Sequence, residues 1–161
     1  AWEKIGSQTL TEADDTFEIS YEARTYLYVF GYFIPDGGIN LHITFDEDNA
    51  VDNENYSMRR LFNGAYPANY GDLDYIEDIW NSIDSVVWFQ AYVYNDSNNP
   101  KIMQIQSTAN NSVGDSNIPN RAYTVGKWQD TTQSTKLRFA DGEATNFDIG
   151  TNITIMGTNG D

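Results

Sequence analysis

The chain has 161 residues, 40% of them hydrophobic and 14% aromatic, with a net charge of −15 from 24 acidic and nine basic residues. That size suits one domain with one core, and the aromatic content suits half-buried strands, so a disordered chain is excluded. No cysteine is present, which excludes disulfides and thiolate-bound zinc, and the charge disfavours phosphate backbones and anionic membranes as partners.

In chain order, residues 1–10 read as an arm or edge strand carrying Trp2, and residues 11–15 as a polar turn. Phe17, Ile19 and Tyr21 alternate with Glu18, Ser20 and Glu22, the period of a half-exposed strand. Residues 25–34 (T-Y-L-Y-V-F-G-Y-F-I) are apolar at nearly every position and read as a central strand covered on both faces, with Gly31 marking a bulge or a close backbone approach. The turn Pro35-Asp36-Gly37-Gly38 predicts a hairpin to residues 39–45, where Ile39, Leu41, Ile43 and Phe45 alternate with polar residues. An acidic loop follows, with Asp46, Glu47, Asp48, Asp52 and Glu54.

Residues 55–62 read as a strand ending at Asn63-Gly64, and the spacing of Leu73, Ile76, Ile79, Trp80 and Ile83 predicts a short amphipathic helix. Residues 85–95 and 101–108 read as strands, 110–120 as a polar loop, 121–129 and 133–139 as a second hairpin, and 152–156 as the last strand. These elements predict an all-β antiparallel sandwich of jelly-roll type, about eight to ten strands with at most one short helix, in a single domain over 1–161 whose first ten residues are an arm or edge strand. No leader or membrane-length apolar run is visible, and Ala1 fits removal of an initiator Met as well as it fits a cleaved signal.

No catalytic motif emerges. His42 is the single histidine and reads as a surface or interface residue, without a nucleophile motif or a second histidine to share a metal. Acidic pairs arise by chance among so many carboxylates, and none is marked as the desolvated acid a glycosidase needs. Asp46, Asp48 and Asp52 occupy positions one, three and seven of a calcium-loop frame, but Ala50, Val51 and Ser57 fall where ligand, glycine and glutamate are required. The three aspartates therefore stand as a candidate looser cation site, calcium by its hard oxygen donors, and no other cofactor is expected.

Trp2, Tyr66, Tyr70 and Tyr75 lie in irregular segments and are candidates for sugar stacking, against core or subunit contact. Arg59, Arg60 and Arg121 are basic islands expected to pair with carboxylates within or across subunits. Together with Trp2 and Trp128 they form the candidate interface set.

Several separated stretches resemble a family of tailed-phage virion proteins. They are W-E-K-I-G-S-Q-T-L at residues 2–10, G-I-N-L-H-I-T-F-D-E-D at 38–48, N-Y-S-M-R-R at 55–60, P-N-R-A-Y-T-V-G-K-W-Q-D-T-T-Q at 119–133 and I-T-I-M-G-T at 153–158. The chain departs from that pattern with Asp46 where asparagine is usual, a more acidic loop after it, and the 73–83 segment. The resemblance implies a non-enzymatic jelly-roll structural protein at the particle surface, made in the host cytoplasm. Its implied role is a capsid decoration or cement protein, docked on the major capsid protein or another virion protein and favoured as a homotrimer, or a fibre head. The alternative expectation is a carbohydrate-binding module or adhesin tip on the same fold.

Overall fold

The computed structural model describes residues 1–46, 54–64, 68–81, 86–109, 119–142 and 146–160, with residues 39 and 79–81 through their backbone alone. Among these residues the chain forms twelve strands and no helix. In order they are β1 (Glu3–Thr9), β2 (Thr16–Ser20), β3 (Tyr26–Phe33), β4 (Ile39–Phe45), β5 (Tyr56–Phe62), β6 (Ala68–Leu73), β7 (Ile76–Asn81), β8 (Val87–Tyr94), β9 (Lys101–Ala109), β10 (Asn120–Trp128), β11 (Lys136–Asp141) and β12 (Asn152–Thr158). They pair antiparallel into an eight-stranded sheet, order β1-β12-β3-β8-β9-β10-β5-β6, and a four-stranded sheet, order β2-β11-β4-β7. The expected antiparallel β-sandwich is the observed one.

Alternation decides the inner faces. Val87, Phe89, Ala91 and Val93 of β8 and Met103 and Ile105 of β9 are buried, and Leu41, Ile43, Phe45, Leu137 and Phe139 cover them from the small sheet. Phe17, Phe33, Phe89, Phe139 and Phe147 form the aromatic centre, the Phe17–Phe139 ring centroids 5.2 Å apart and those of Phe33–Phe139 5.5 Å. A polar lock joins the layers as well. Asp78 of β7 is fully buried and accepts hydrogen bonds from Ser107 Oγ of β9 (2.6 Å) and Thr124 Oγ1 of β10 (2.7 Å).

Four expectations change. Over residues 73–81 the predicted helix is instead the end of β6 and the whole of β7, separated by a two-residue bend at Asp74 and Tyr75, and Ile83 lies outside the described residues. The 25–34/39–45 pair is not a hairpin: β3 pairs with β12 and β8, β4 pairs with β11 and β7, and the Pro35–Gly38 turn carries the chain from one sheet to the other. The 121–129/133–139 pair divides the same way, because β10 bonds β5 and β9 while β11 bonds β2 and β4. Finally, β3 is covered on one face only. Leu27, Val29 and Phe33 are fully buried, while Tyr26 is exposed and Tyr28, Phe30 and Tyr32 are half-buried. Gly31 does mark a close approach: a Cβ there would meet the backbone carbonyl of Asn152 on β12.

Candidate functional site

The outer face of the eight-stranded sheet is the most distinctive surface among the described residues. Strand register lines its side chains into rows that run across the sheet. One row reads Asn152, Tyr32, Trp88, Thr108, Arg121; the next reads Thr154, Phe30, Gln90, Gln106, Tyr123. A third reads Met156, Tyr28, Tyr92, Gln104, Val125, Arg59, and a fourth Thr158, Tyr26, Tyr94, Ile102, Lys127. Aromatic rings therefore gather on β3 and β8, amides on β8 and β9, and cations on β10 and β5.

The rings are exposed yet ordered by one another. Trp88 keeps 60% of its surface accessible and Tyr92 keeps 56%. Tyr28 stacks on Tyr92 with centroids 4.7 Å apart, Tyr26 meets Tyr94 at 5.7 Å, and Tyr32 meets Trp88 edge-on at 5.4 Å. Beside them runs a fixed polar line: Tyr28 OH donates to Gln90 Oε1 (3.0 Å), and Gln90 Nε2 donates to Gln106 Oε1 (2.9 Å). Burial and the neighbouring Tyr92 hold the Tyr28 phenol above its ordinary value, so it remains a donor at neutral pH.

The charge on this face runs against the rest of the chain. Not one of the 24 acidic residues falls in β12, β3, β8, β9, β10 or β5. Five of the nine basic residues do: Arg59, Arg121 and Lys127 at outer-face positions, and Arg60 and Lys101 at inner ones. Lys101 is buried, where its Nζ donates to the carbonyls of Asp96 (2.8 Å), Asn99 (2.9 Å) and Asp130 (3.3 Å). Arg60 bridges to Glu77 at 2.5 Å and lies over the Tyr70 ring. Arg59 and Arg121 are exposed and form no ion pair with the described residues.

Among the described residues, shallow depressions interrupt the face. One of about 300 Å³ lies among Tyr28, Phe30, Trp88, Gln90, Gln106 and Arg121. A second, about 220 Å³, lies among Trp2, Tyr26, Tyr92, Tyr94, Ile102 and Gln104. A third, about 260 Å³, shares Gln106 and Arg121 and adds Leu61 and Tyr123.

The residues singled out from sequence scatter over the fold. Trp2 is half exposed at the rim of the second depression, and Arg59 and Arg121 lie on the same face. Arg60 is taken by Glu77, a pairing within the subunit. Trp128 is a correction. It is a core residue, 3% exposed and stacked on Phe45 at 5.3 Å, so it is not available to a partner. Tyr70 is exposed, Tyr75 stacks on His42 with centroids 3.5 Å apart, and Tyr66 lies outside the described residues.

Asp46 has a structural task. It has a positive φ of 51°, and its Oδ1 accepts from the backbone nitrogens of Thr135 (2.7 Å) and Lys136 (3.0 Å) and from Ser134 Oγ (3.1 Å). Asp48 and Asp52 lie outside the described residues, and no group of three metal-ligating side chains occurs among those described. His42 is half-buried rather than on the surface. Its Nε2 has no hydrogen-bond partner among the described residues, and burial lowers its pKa against the opposing charges of Glu77 and Asp141. No helix is long and apolar enough to cross a membrane among the described residues.

No family model matches the chain, and searches of curated proteins and of solved structures return no similar protein.

Sequence reasoning did not single out Trp88, Tyr92, Gln90, Gln104 or Gln106. The signal was present: glutamines alternate with core residues in β8 and β9, and acids vanish from those strands.

Proposed function

We propose that the protein is a non-enzymatic surface protein of a tailed-phage particle, of decoration or fibre-head type, which adheres through the outer face of its large sheet. The observation that carries this reading is the composition of that face. Protein interfaces are enriched in Tyr, Trp, Phe, Met and Arg and depleted in Asp and Glu. Six adjoining strands with rings, amides and arginines, and no carboxylate, fit that profile in a chain of net charge −15. The acidic remainder keeps such a body soluble and discourages contact anywhere else. The phage setting rests on the resemblance of residues 2–10, 38–48, 55–60, 119–133 and 153–158 to virion proteins.

Sedimentation tests the reading. The wild-type chain is mixed separately with purified particles and with host cell envelopes, and compared with the Trp88→Ala/Tyr92→Ala variant. The wild type should pellet with one of the two, and the variant should stay in the supernatant while keeping its melting temperature. Equal pelleting of both chains would remove the face from the account.

A glycan-binding adhesin is the second reading. It is favoured by the hydrogen-bonded line Tyr28–Gln90–Gln106 along the floor of the first depression.

A further inference from the structure

Resting on the reading that this face adheres, we propose that the depression between Trp88 and Arg121 is a subsite for an oligosaccharide that carries one carboxylated sugar.

Three features converge there. The first is a stacking wall. Trp88 is the most exposed large ring of the face, held edge-on by Tyr32, and a pyranose ring lays its C–H face on such a surface. The second is a preorganised amide floor. Tyr28 fixes Gln90, and Gln90 fixes Gln106, whose own amide nitrogen bonds to no described residue. Groups locked this way meet sugar hydroxyls without first losing side-chain freedom. The third is charge. Arg121 is exposed on the far wall, forms no ion pair with described residues, and stands in a strand row with Trp88 and Thr108. Two strand spacings separate Trp88 from Arg121, about 10 Å, the reach of a disaccharide. A guanidinium pairs bidentately with a planar carboxylate.

Magnitudes also limit the ligand. A depression of about 300 Å³ is at the small end of ligand sites and holds a short glycan segment, not a protein loop. The net charge of −15 repels a polyanion, so one acidic sugar among neutral ones fits and a polyuronate or sulfated chain does not.

The test is a glycan array of sialic-acid-ended and uronic-acid-ended oligosaccharides beside their neutral counterparts, followed by calorimetry on the binders. Wild-type protein should bind at least one acidic class several-fold tighter than its neutral counterpart, with a preference that shrinks as salt is raised. Trp88→Ala should lose at least tenfold in affinity for both, and Gln106→Ala several-fold. Arg121→Gln should bind the acidic and neutral forms alike. All three positions are exposed, so unchanged melting temperatures are expected and can be checked. Equal wild-type binding of acidic and neutral forms, or an acid preference kept in Arg121→Gln, overturns the assignment. If no glycan binds at millimolar concentration while Trp88→Ala/Tyr92→Ala still abolishes sedimentation with particles, the face is a protein dock. The subsite is then refuted and the adhesive reading stands. If neither measurement responds to Trp88, both fall.

Discussion

Asp78 offers the sharpest test of how the two sheets are joined. Its carboxylate is fully buried between the layers and accepts the hydroxyls of Ser107 at 2.6 Å and Thr124 at 2.7 Å. In Asp78→Ala both hydroxyls lose their acceptor, and each stranded buried donor costs about 1–3 kcal/mol. Removing a buried carboxylate offsets part of that, because its own desolvation costs several kcal/mol. The net expectation is a loss of about 2–4 kcal/mol. At about 2–4 °C per kcal/mol for a chain of this size, the melting temperature should fall by roughly 5–15 °C. The Asp78→Leu/Ser107→Ala/Thr124→Val variant removes donors and acceptor together and should recover most of the loss. Urea unfolding followed by tryptophan fluorescence reads both changes, provided the slope with denaturant stays constant. A single variant within about 0.5 kcal/mol of wild type, or a triple variant no better than the single, would refute the lock.

Trp128→Ala should cost about 3–5 kcal/mol by the same assay, whereas Trp88→Ala should cost under about 1 kcal/mol, because only Trp128 fills the core; similar losses would contradict the assigned faces. Gly31→Ala should lose at least about 3 kcal/mol, since its Cβ would press on the backbone carbonyl of Asn152, which cannot swing aside as a side chain can; a wild-type melting temperature would count against that register. Burial lowers the His42 pKa in the folded chain, so the unfolded chain takes up the proton first as pH falls. Stability should therefore drop as pH falls from about 7.5 through the unfolded value near 6.5 toward the lower folded value. His42→Gln should flatten the drop relative to wild type, and parallel pH profiles for the two would refute it.

Much of the fold could be read from the residues themselves. In β8 every second residue is apolar and the rest are an amide or rings, and the structure buries the first set; β9 keeps the same alternation less cleanly, burying Lys101 and Ser107 beside Met103, Ile105 and Ala109 and turning Ile102 outward. The 73–83 segment misled because a two-residue bend resets a period of two. Leu73 and Ile76 lie three apart on two different strands, which imitates one helical turn. The misread hairpins have another origin. A short turn fixes where the chain reverses, but not whether the next strand joins the same sheet or the opposite one, and that choice belongs to long-range packing. Exposure of the β3 rings was illegible for a similar reason. Tyrosine and phenylalanine score alike in a core and on a binding face, so only the neighbouring amides and the missing carboxylates could have separated the two.

The central claim is that the protein works by laying the outer face of its large sheet against a target. Hydroxyl-radical footprinting of the chain alone, and of the chain pelleted with particles or host envelopes, measures this directly. The account predicts that Trp88, Tyr92 and Tyr94 lose most of their labelling in the bound state, while the exposed Ile149, outside that sheet, labels as before. Undiminished labelling of Trp88 and Tyr92 in a chain that is nonetheless bound would contradict it.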